Sequence, residues 1–232
     1  MPSRCLAITA HPDDVDFGAA GTVATWTAAG DEVVYCVVTD GDAGGFDPSV
    51  PRDAMPGVRR AEQRAAAELV GVHEVEFLGR RDGQVVADLD LRRDLARVIR
   101  RVRPDRVLCS SPERDYSRLP ASHPDHLAVG EAAFCAIYPD ARNPFAFPEL
   151  LEEGLEPHTV NEIWVMASAR ADTVIDITDV LDTKIAAVLA HASQLPDPAA
   201  AVERVRGWTA ATAADAGMAA GSAAERFLVV RL

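Results

Sequence analysis

The chain has 232 residues, of which 48% are hydrophobic and 25% are charged. This composition is typical of a soluble globular protein that buries a core, and it excludes a long disordered or fibrous chain. The 36 acidic and 23 basic residues leave a formal net charge of -13, which disfavours nucleic acid and anionic membranes as partners.

The first half of the chain alternates strand-like and helix-like segments. An apolar run over residues 4–10 predicts a strand, and small and apolar residues at helical spacing over 15–29 predict the helix that follows. The same criteria predict further strands over 32–39, 74–78 and 106–110, and helices over 58–70 and 91–102. Repeated β-α pairs predict a Rossmann-like α/β fold, a mostly parallel sheet with helices on both faces.

The second half continues the pattern with one long interruption. We predict a helix that begins near Ser122 or Pro124 and ends at about residue 138, then an ordered excursion over 140–157 that walls a site. The remaining predicted elements are strands over 162–167 and 173–177, a helix over 180–192, a pair of Ala-rich helices after Pro198, and a strand over 226–231. Without an internal repeat or a linker, residues 1–232 are predicted to form a single domain.

The N-terminus and the cysteines predict a cytoplasmic protein. No segment approaches the roughly 20 apolar residues of a membrane helix, and residues 1–5 lack the apolar run and cleavage site of a signal peptide. The cysteines are far apart and mostly lie in strand-like runs, which favours buried free thiols over a disulfide or metal role. They are Cys5, Cys36, Cys109 and Cys135.

The first chemically informative motif is Ala-His-Pro-Asp-Asp, which ends the first predicted strand and opens the first helix. It contains His11, Asp13 and Asp14. In open parallel sheets, ligands bind at the carboxyl ends of the strands. Two carboxylates and an imidazole there can supply two metal ligands and leave one carboxylate free as a base. The alternative is that both acidic residues only cap the helix.

The second motif is His-Pro-Asp-His, at the start of the helix that follows the fourth strand. His123 and His126 are three residues apart, which places two imidazoles on one helical face, with Asp125 between them. The recurrence of His-Pro-Asp at two strand-to-helix junctions is hard to explain by capping.

Together the motifs describe a site for metal-assisted amide hydrolysis. His, Asp and His would bind a divalent ion and leave a position for water, with zinc as the default and iron as the alternative. A carboxylate would take a proton from that water, and a second imidazole, kept protonated by an acid such as Asp125, would stabilise the oxyanion or protonate the leaving nitrogen. The residues alone do not separate Asp13 from Asp14, or His123 from His126.

With both motifs in this order, the chain resembles the LmbE-like, PIG-L family of N-acetylglucosaminyl deacetylases over nearly its whole length. The resemblance implies that Asp13 is the general base and that His123, oriented by Asp125, stabilises the tetrahedral intermediate or acts as an acid. It implies that Zn²⁺, or alternatively Fe²⁺, is bound by His11, Asp14 and His126.

Weaker segments match the same family. The Thr-Asp-Gly loop after the second strand, an Arg-x-x-Glu pattern and an Asp-Gly pair occupy positions at which the family contacts sugar hydroxyls. The resemblance therefore implies that Asp42, Arg59 and Asp82 bind substrate; the alternatives are an ordinary turn for the loop, a surface ion pair for Arg59 and a simple turn for Asp82. A late motif that begins at His191, after Lys184, is expected to support the site structurally.

The chain departs from the family pattern in a few places. Ala20-Gly21 stands where a Gly-Gly pair is common, a change that affects packing more than catalysis. Ala121 replaces a tyrosine found in members that act on glucosaminyl-inositol, and Tyr116 substitutes for it only if its loop folds back.

The resemblance implies a zinc-dependent hydrolase that removes an N-acetyl or related N-acyl group from a glucosamine-containing small molecule by attack of a metal-bound water. Its partner would be this small-molecule amide, without nucleic acid or membrane, and a homo-oligomer is compatible with the sequence. One alternative is an amidase for a non-glucosamine amide, of the mycothiol-conjugate or natural-product tailoring type. The other is a non-catalytic Rossmann-like binding module, although the acidic first turn would repel phosphate.

Overall fold

The computed structural model, which describes residues 2–232, contains seven strands and seven α-helices. The strands are β1 (Arg4–Thr9), β2 (Glu32–Thr39), β3 (Glu74–Arg80), β4 (Arg106–Ser110), β5 (Glu162–Met166), β6 (Thr173–Asp176) and β7 (Ala224–Arg231). The helices are α1 (Asp14–Ala28), α2 (Met55–Leu69), α3 (Leu89–Val102), α4 (Pro124–Cys135), α5 (Glu149–Glu152), α6 (Leu181–Leu189) and α7 (Pro198–Asp215).

The strands form a mixed sheet in the order β3-β2-β1-β4-β5-β7-β6. The first five strands in this order are parallel neighbours, whereas β7 runs antiparallel to both β5 and β6. Every residue of β1 except Arg4 is buried, as expected for a parallel strand that is covered on both faces. The predicted mostly parallel sheet is confirmed.

Helices cover both faces of this sheet, which confirms the second part of the fold prediction. Successive side chains of a strand point to opposite faces, so Leu6 and Ile8 belong to one core while Cys5 and Ala7 belong to the other. The first core is closed by α3 and α4, and the second by α1 and α2. A smaller apolar cluster joins α6 to α7.

Two predicted helices differ from the observed ones. The pair of helices expected after Pro198 is one helix, α7, because Gly207 costs only about 1 kcal/mol inside a helix and packing on α6 offsets it. The helix expected to end at about residue 138 is α4, which gives way after Cys135 to a π turn, Ala136–Asp140, with Pro139 inside it. Proline removes a backbone donor, so the regular helix does not continue.

The excursion over 140–157 is ordered by a buried arginine. Arg100 of α3 donates hydrogen bonds to the carbonyl oxygens of Asp140, Asn143 and Ala146 at 2.9 to 3.0 Å. The segment also contains α5, whose Leu150 is buried. It is therefore packed against α3, and its predicted role as a site wall stays a prediction.

The prediction of buried free thiols is confirmed for three of the four cysteines, whereas Cys135, in α4, is only half-buried. All four cysteines are free in the described chain, and Cys5, Cys36 and Cys109 are buried in β1, β2 and β4. Burial raises the pKa of the Cys5 and Cys109 thiols to about 12, which keeps them protonated. Within residues 2–232, none of the helices has the length and apolar character to cross a membrane.

Candidate metal centre and active site

The two His-Pro-Asp motifs meet at the carboxyl edge of the sheet. His11 follows β1 and His123 precedes α4, which the chain reaches from β4, the parallel neighbour of β1. Because the two strands end at the same edge, the imidazole rings of His11 and His123 lie 4.8 Å apart, and those of His11 and His126 lie 5.1 Å apart.

Three side chains of this cluster present ligand atoms to one another at metal-binding distances. His126 Nε2 lies 3.0 Å from Asp14 Oδ1 and 3.2 Å from His11 Nδ1, and His11 Nδ1 lies 3.7 Å from Asp14 Oδ2. Ligand atoms of a tetrahedral zinc site with bonds of about 2.0 to 2.1 Å are separated by about 3.4 Å. His11, Asp14 and His126 therefore fit a divalent ion in their midst.

The second nitrogen of His11 faces other carboxylates. His11 Nε2 lies 3.1 Å from both Asp82 Oδ1 and Asp125 Oδ2. These atoms form a second group of close potential ligands, and the rings of His11, His123 and His126 form a third. An imidazole that binds a metal through one nitrogen usually donates a hydrogen bond to a carboxylate through the other. This rule favours the set of His11, Asp14 and His126, which uses His11 Nδ1 and leaves His11 Nε2 facing Asp82 and Asp125.

Hydrogen bonds select the tautomers that such a site needs. His126 Nδ1 lies 3.3 Å from the carbonyl oxygen of Ala121, which can only accept a hydrogen bond. The proton of neutral His126 is thereby held on Nδ1, and the lone pair on Nε2 faces Asp14 and His11. The backbone of Ala121 supplies this contact.

The electrostatics of the cluster favour a cation. Burial lowers the pKa of His11, but hydrogen bonds to Asp125, Asp14 and Asp82 outweigh it and raise that pKa to about 12. Burial raises the pKa of Asp14, yet the adjacent His126 and His11 hold it well below its usual range. Carboxylates that attract a proton this strongly also attract a divalent ion, so the donor set suits a metal.

Asp13 occupies a different environment from Asp14. It precedes α1 with a left-handed backbone, φ 98° and ψ -26°, and makes no capping hydrogen bond through its side chain. The capping interpretation of Asp13 is therefore wrong. Burial raises its pKa to about 6 against the opposing effect of Arg59, and a carboxylate with a pKa nearer neutrality is a better general base.

Arg59 of α2 forms an ion pair with the Asp13 carboxylate beside the candidate metal centre. Its Nη2 donates to Asp13 Oδ2 at 3.0 Å and to the carbonyl oxygen of Pro12, and its Nη1 donates to the carbonyl oxygen of Gly41 at 3.4 Å. A Cβ at Gly41, where φ is 62°, would lie 2.5 Å from Arg59 Nη1, which explains the glycine. Because the Arg59 side chain is only 4% exposed, its contacts hold Asp13 and leave little surface for a sugar.

Asp82 and Asp42 form a connected pair beside His11. Asp42 Oδ1 accepts a hydrogen bond from Asp82 N at 2.9 Å, and Asp42 Oδ2 pairs with Arg52. A cavity of about 420 Å³ adjoins Asp42 and is also lined by Arg52, Arg80 and Arg81. Asp82 thus contacts His11 of the candidate metal centre, and Asp42, bonded to Asp82, lines the charged cavity.

Asp125 orients a different histidine from the one expected. Its carboxylate accepts hydrogen bonds from the backbone N–H groups of Gly83 at 2.7 Å and Val85 at 3.2 Å, and lies on the ring of His11. Only its backbone N–H contacts His123, donating to Nδ1 at 3.2 Å. The expectation that the Asp125 carboxylate keeps His123 protonated is corrected accordingly.

The protonation of His123 follows from its position as the residue before α4. Burial and the positive charge of His11 lower its pKa, which favours the neutral ring. Since Nδ1 accepts a hydrogen bond from Asp125, the proton of the neutral ring lies on Nε2. His123 thus keeps one N–H donor for a substrate.

Several supporting residues lie outside the predicted set. Gln63 bonds to both Asp13 and Asp16, and His191 Nε2 lies 2.8 Å from Asp16 Oδ2. Lys184 is buried and donates to the carbonyl oxygens of Asp16 and Phe17. The late motif that begins at His191 was the only sequence signal of this layer, and its expected structural role agrees with these contacts.

Tyr116 lies on the loop between β4 and α4. Its side chain is highly exposed, at 83% of its full accessibility. The loop therefore does not fold back to bury Tyr116 against the cluster, which was the condition for Tyr116 to act in place of a tyrosine at position 121.

Comparisons with known proteins show which family the chain resembles. The PIG-L family model, described as GlcNAc-PI de-N-acetylase, matches residues 6–137. Diacetylchitobiose deacetylase of Thermococcus kodakarensis is 31% identical over 84% of this chain and 71% of its own. A Bacillus cereus protein named Probable N-acetyl-alpha-D-glucosaminyl L-malate deacetylase 2 is 29% identical over 84% of each chain. The structure of N,N'-diacetylchitobiose deacetylase from Pyrococcus horikoshii, complexed with its inhibitor MPG, matches with a TM-score of 0.90, 28% identity and coverage of 99% of this chain and 84% of that one.

Proposed function

The chain belongs to the PIG-L family, and on that premise we propose that it is a hydrolase that removes an N-acetyl or related N-acyl group from a glucosamine-containing small molecule. Two deacetylases of N-acetylated sugar compounds are among its relatives. The observation that carries the proposal is the cluster of His11, Asp14 and His126 beside Asp13: His11 Nδ1 and His126 Nε2 lie 3.2 Å apart, and each lies 3.0 to 3.7 Å from a different oxygen of the Asp14 carboxylate. A binding module would not require a divalent-ion site next to a carboxylate with a raised pKa.

We propose zinc as the cofactor, with ferrous iron as the alternative, because two imidazoles and one carboxylate suit both ions. When bound, the metal would polarise the amide carbonyl and lower the pKa of water at the site. His11, Asp14 and His126 would hold it. Asp125 and Asp82 would keep the His11 ring in place through Nε2.

Asp13 would serve as the general base. Its carboxylate, with a pKa raised to about 6, would take a proton from the attacking water as the new C–O bond forms. Arg59 Nη2, 3.0 Å from Asp13 Oδ2, holds the carboxylate in one orientation while the proton is transferred. The proton would be received on an oxygen of Asp13 and then be available to the departing amine.

His123 would act on the other side of the amide. Its Nε2–H would donate a hydrogen bond to the carbonyl oxygen as negative charge develops there, and a donor already in place needs no reorganisation. Because its ring lies 4.8 Å from that of His11, this donor and the metal ligands belong to the same small volume.

Recognition of the sugar would fall to Asp82 and Asp42. Carboxylates accept hydrogen bonds from sugar hydroxyl groups; Asp82 contacts His11, Asp42 lines the neighbouring cavity, and a hydrogen bond joins the two residues. Arg59 contributes through Asp13 and not through the sugar. The cytoplasmic location and the single domain over residues 1–232 stay predictions.

The test is release of free amine from a panel of acetamido compounds by zinc-loaded protein. The panel contains N-acetylglucosamine, N,N'-diacetylchitobiose, the malate and inositol glycosides of N-acetylglucosamine, and an N-acetyl peptide. We expect release from at least one sugar, and we expect Asp13→Asn to lower kcat by about 10² to 10⁴ with metal still bound. Release from the peptide alone would reject the glucosamine substrate, and full turnover by Asp13→Asn would reject the assigned base.

A further inference from the structure

Gln63 lies at the centre of α2 and contacts the turn that carries Asp13. Its side chain is fully buried, with 0% exposure. Gln63 Oε1 accepts a hydrogen bond from Asp13 N at 2.8 Å, and Gln63 Nε2 donates to Asp16 Oδ2 at 2.8 Å. Gln63 therefore joins the backbone of the candidate base to a buried carboxylate one turn further along α1.

The Gln63 amide has only one orientation that satisfies both contacts. The backbone N–H of Asp13 can only donate, and the carboxylate of Asp16 can only accept when ionised, so Oε1 faces the former and Nε2 the latter. Asp16 is itself fixed, because it is fully buried and His191 Nε2 lies 2.8 Å from its Oδ2. The Gln63 amide that bonds to Asp13 is thus held by a carboxylate, that of Asp16, whose own position is fixed.

The turn that Gln63 contacts is strained. Asp13 has φ 98°, a left-handed conformation that residues with a side chain rarely adopt without support from their surroundings. Gln63 lies one helical turn after Arg59, which binds the Pro12 carbonyl oxygen and the Asp13 carboxylate. Gln63 thus holds the backbone N–H of Asp13, and Arg59 holds the backbone C=O of Pro12 and the carboxylate of Asp13.

From these contacts we infer that Gln63 is a positioning residue for Asp13: it holds the left-handed turn from which the Asp13 carboxylate reaches Arg59 and the candidate metal centre. The inference rests on the proposed deacetylase function, in which Asp13 is the base. Gln63 itself touches neither the metal ligands nor the space for substrate, so its effect passes through Asp13.

The test compares variants of Gln63 in the full-length, zinc-loaded protein. Gln63→Met keeps the length of the side chain and removes both hydrogen bonds. We expect kcat to fall by about 10 to 100-fold, with KM within about twofold and metal content unchanged, because only the reacting group is misplaced. In parallel, NMR-detected hydrogen exchange should show the Asp13 amide exchanging about tenfold faster or more.

A paired substitution tests the hydrogen-bond pattern itself. Gln63→Glu places a carboxylate oxygen against Asp16, and we expect it to lower kcat as Gln63→Met does. Adding Asp16→Asn places an amide nitrogen at the position of Oδ2, where its two N–H groups can donate to that oxygen and to His191 Nε2 once the His191 proton lies on Nδ1, so the double variant should regain at least about threefold in kcat over Gln63→Glu. Thr209→Val, which removes an equally buried hydrogen bond to Val205 on α7, is the matched control and should leave kcat and Asp13 exchange unchanged.

The outcomes separate this inference from the proposed function. Unchanged kcat and unchanged Asp13 exchange in Gln63→Met would overturn the positioning role, as would a lower melting temperature with unchanged kcat per bound metal. Absence of amine release from every compound by the unsubstituted protein would instead overturn the proposed function. In that case the Asp13 exchange rate alone decides whether Gln63 holds the turn.

Discussion

At the scale of single residues, the two adjacent aspartates of the first motif have different environments and therefore different chemistry. The Asp14 carboxylate accepts hydrogen bonds from the backbone N–H groups of Ala10 and His11 and lies beside two imidazoles, which keeps it ionised. Asp13 is buried against one guanidinium, and its pKa rises to about 6. These environments support the proposed division, with Asp14 as a metal ligand and Asp13 as the general base.

The ligand assignment predicts a loss of metal binding in His126→Ala. Removal of one of three ligands leaves two, so we expect zinc content to fall from one per chain to well below half. In the unsubstituted protein, zinc at about 100 times its Kd should raise stability by about 2.7 kcal/mol, seen as a higher melting temperature, and His126→Ala should lose this shift. His158→Ala is the control, because the Nε2 of this histidine bonds to the carbonyl oxygen of Pro104 just before β4, at the amino ends of the parallel strands. Full zinc content in His126→Ala would refute the ligand set.

The contacts of Asp125 predict an effect on metal affinity without loss of a ligand. Its carboxylate holds the His11 ring and accepts two backbone hydrogen bonds, from Gly83 and Val85. Asp125→Asn keeps the shape and weakens the acceptor, so we expect zinc affinity to fall by about 10 to 100-fold. Competition with a chromogenic chelator measures the change. An unchanged affinity would show that His11 is oriented by Asp82 alone.

At the scale of elements, the site depends on how closely α4 approaches the end of β4. A Cβ added at Gly130 of α4 would lie 2.6 Å from the carbonyl oxygen of Ser110 and 2.8 Å from the nitrogen of Pro112, both backbone atoms. This close contact fixes the position of α4, which begins directly after His123 and carries His126 in its first turn. The close packing of backbone on backbone therefore sets the distance between the two motifs.

Gly130→Ala is predicted to displace α4 and destabilise the protein. Backbone atoms cannot move aside as a flexible side chain does, so we expect a loss of about 1 to 3 kcal/mol in the free energy of unfolding and weaker zinc binding. Gly207→Ala in α7, where nothing lies within 4 Å of the added Cβ, is the matched control. It should stabilise the protein by about 0.5 to 1 kcal/mol. Urea unfolding measures both, and equal effects would contradict the packing argument.

At the scale of the whole molecule, buried ionic contacts tie the last third of the chain to the first motif. Lys184 of α6 has 0% exposure and donates to Asp16 and Phe17 carbonyl oxygens in α1, and its Nζ lies 2.7 Å from Glu225 Oε1 in β7. Glu225 also accepts hydrogen bonds from the backbone of Gly21 and Thr22. Helix α1, which begins within the first motif, is thus bonded to both α6 and β7.

Lys184→Met is predicted to be strongly destabilising. It leaves Glu225 as an uncompensated buried charge, and breaking a buried pair in this way costs about 3 to 5 kcal/mol. Adding Glu225→Gln removes that charge and should recover part of the loss. Thermal and urea unfolding of the single and double variants measure the coupling, and strictly additive losses would argue against a paired interaction.

The alternation of strands and helices, the mostly parallel sheet and the two His-Pro-Asp motifs at strand ends could be predicted from the sequence. Apolar periodicity is a local property, and parallel strands bring their carboxyl ends to one edge whatever the details of packing. The meeting of His11 with His126 follows from that rule. The sequence did not predict that α7 is one helix, because whether a single glycine interrupts a helix depends on how that helix packs on its neighbour.

Which atom faces which could be read only from the folded chain. Asp125 turns its carboxylate to His11 and only its backbone N–H to His123, and Arg59 turns inward to Asp13. Gln63 reaches Asp13 across 50 positions of the chain and carries no motif that would mark it. Side-chain direction depends on contacts among segments that are distant in sequence, and buried polar groups must find partners wherever packing provides them. A single sequence does not contain those distances.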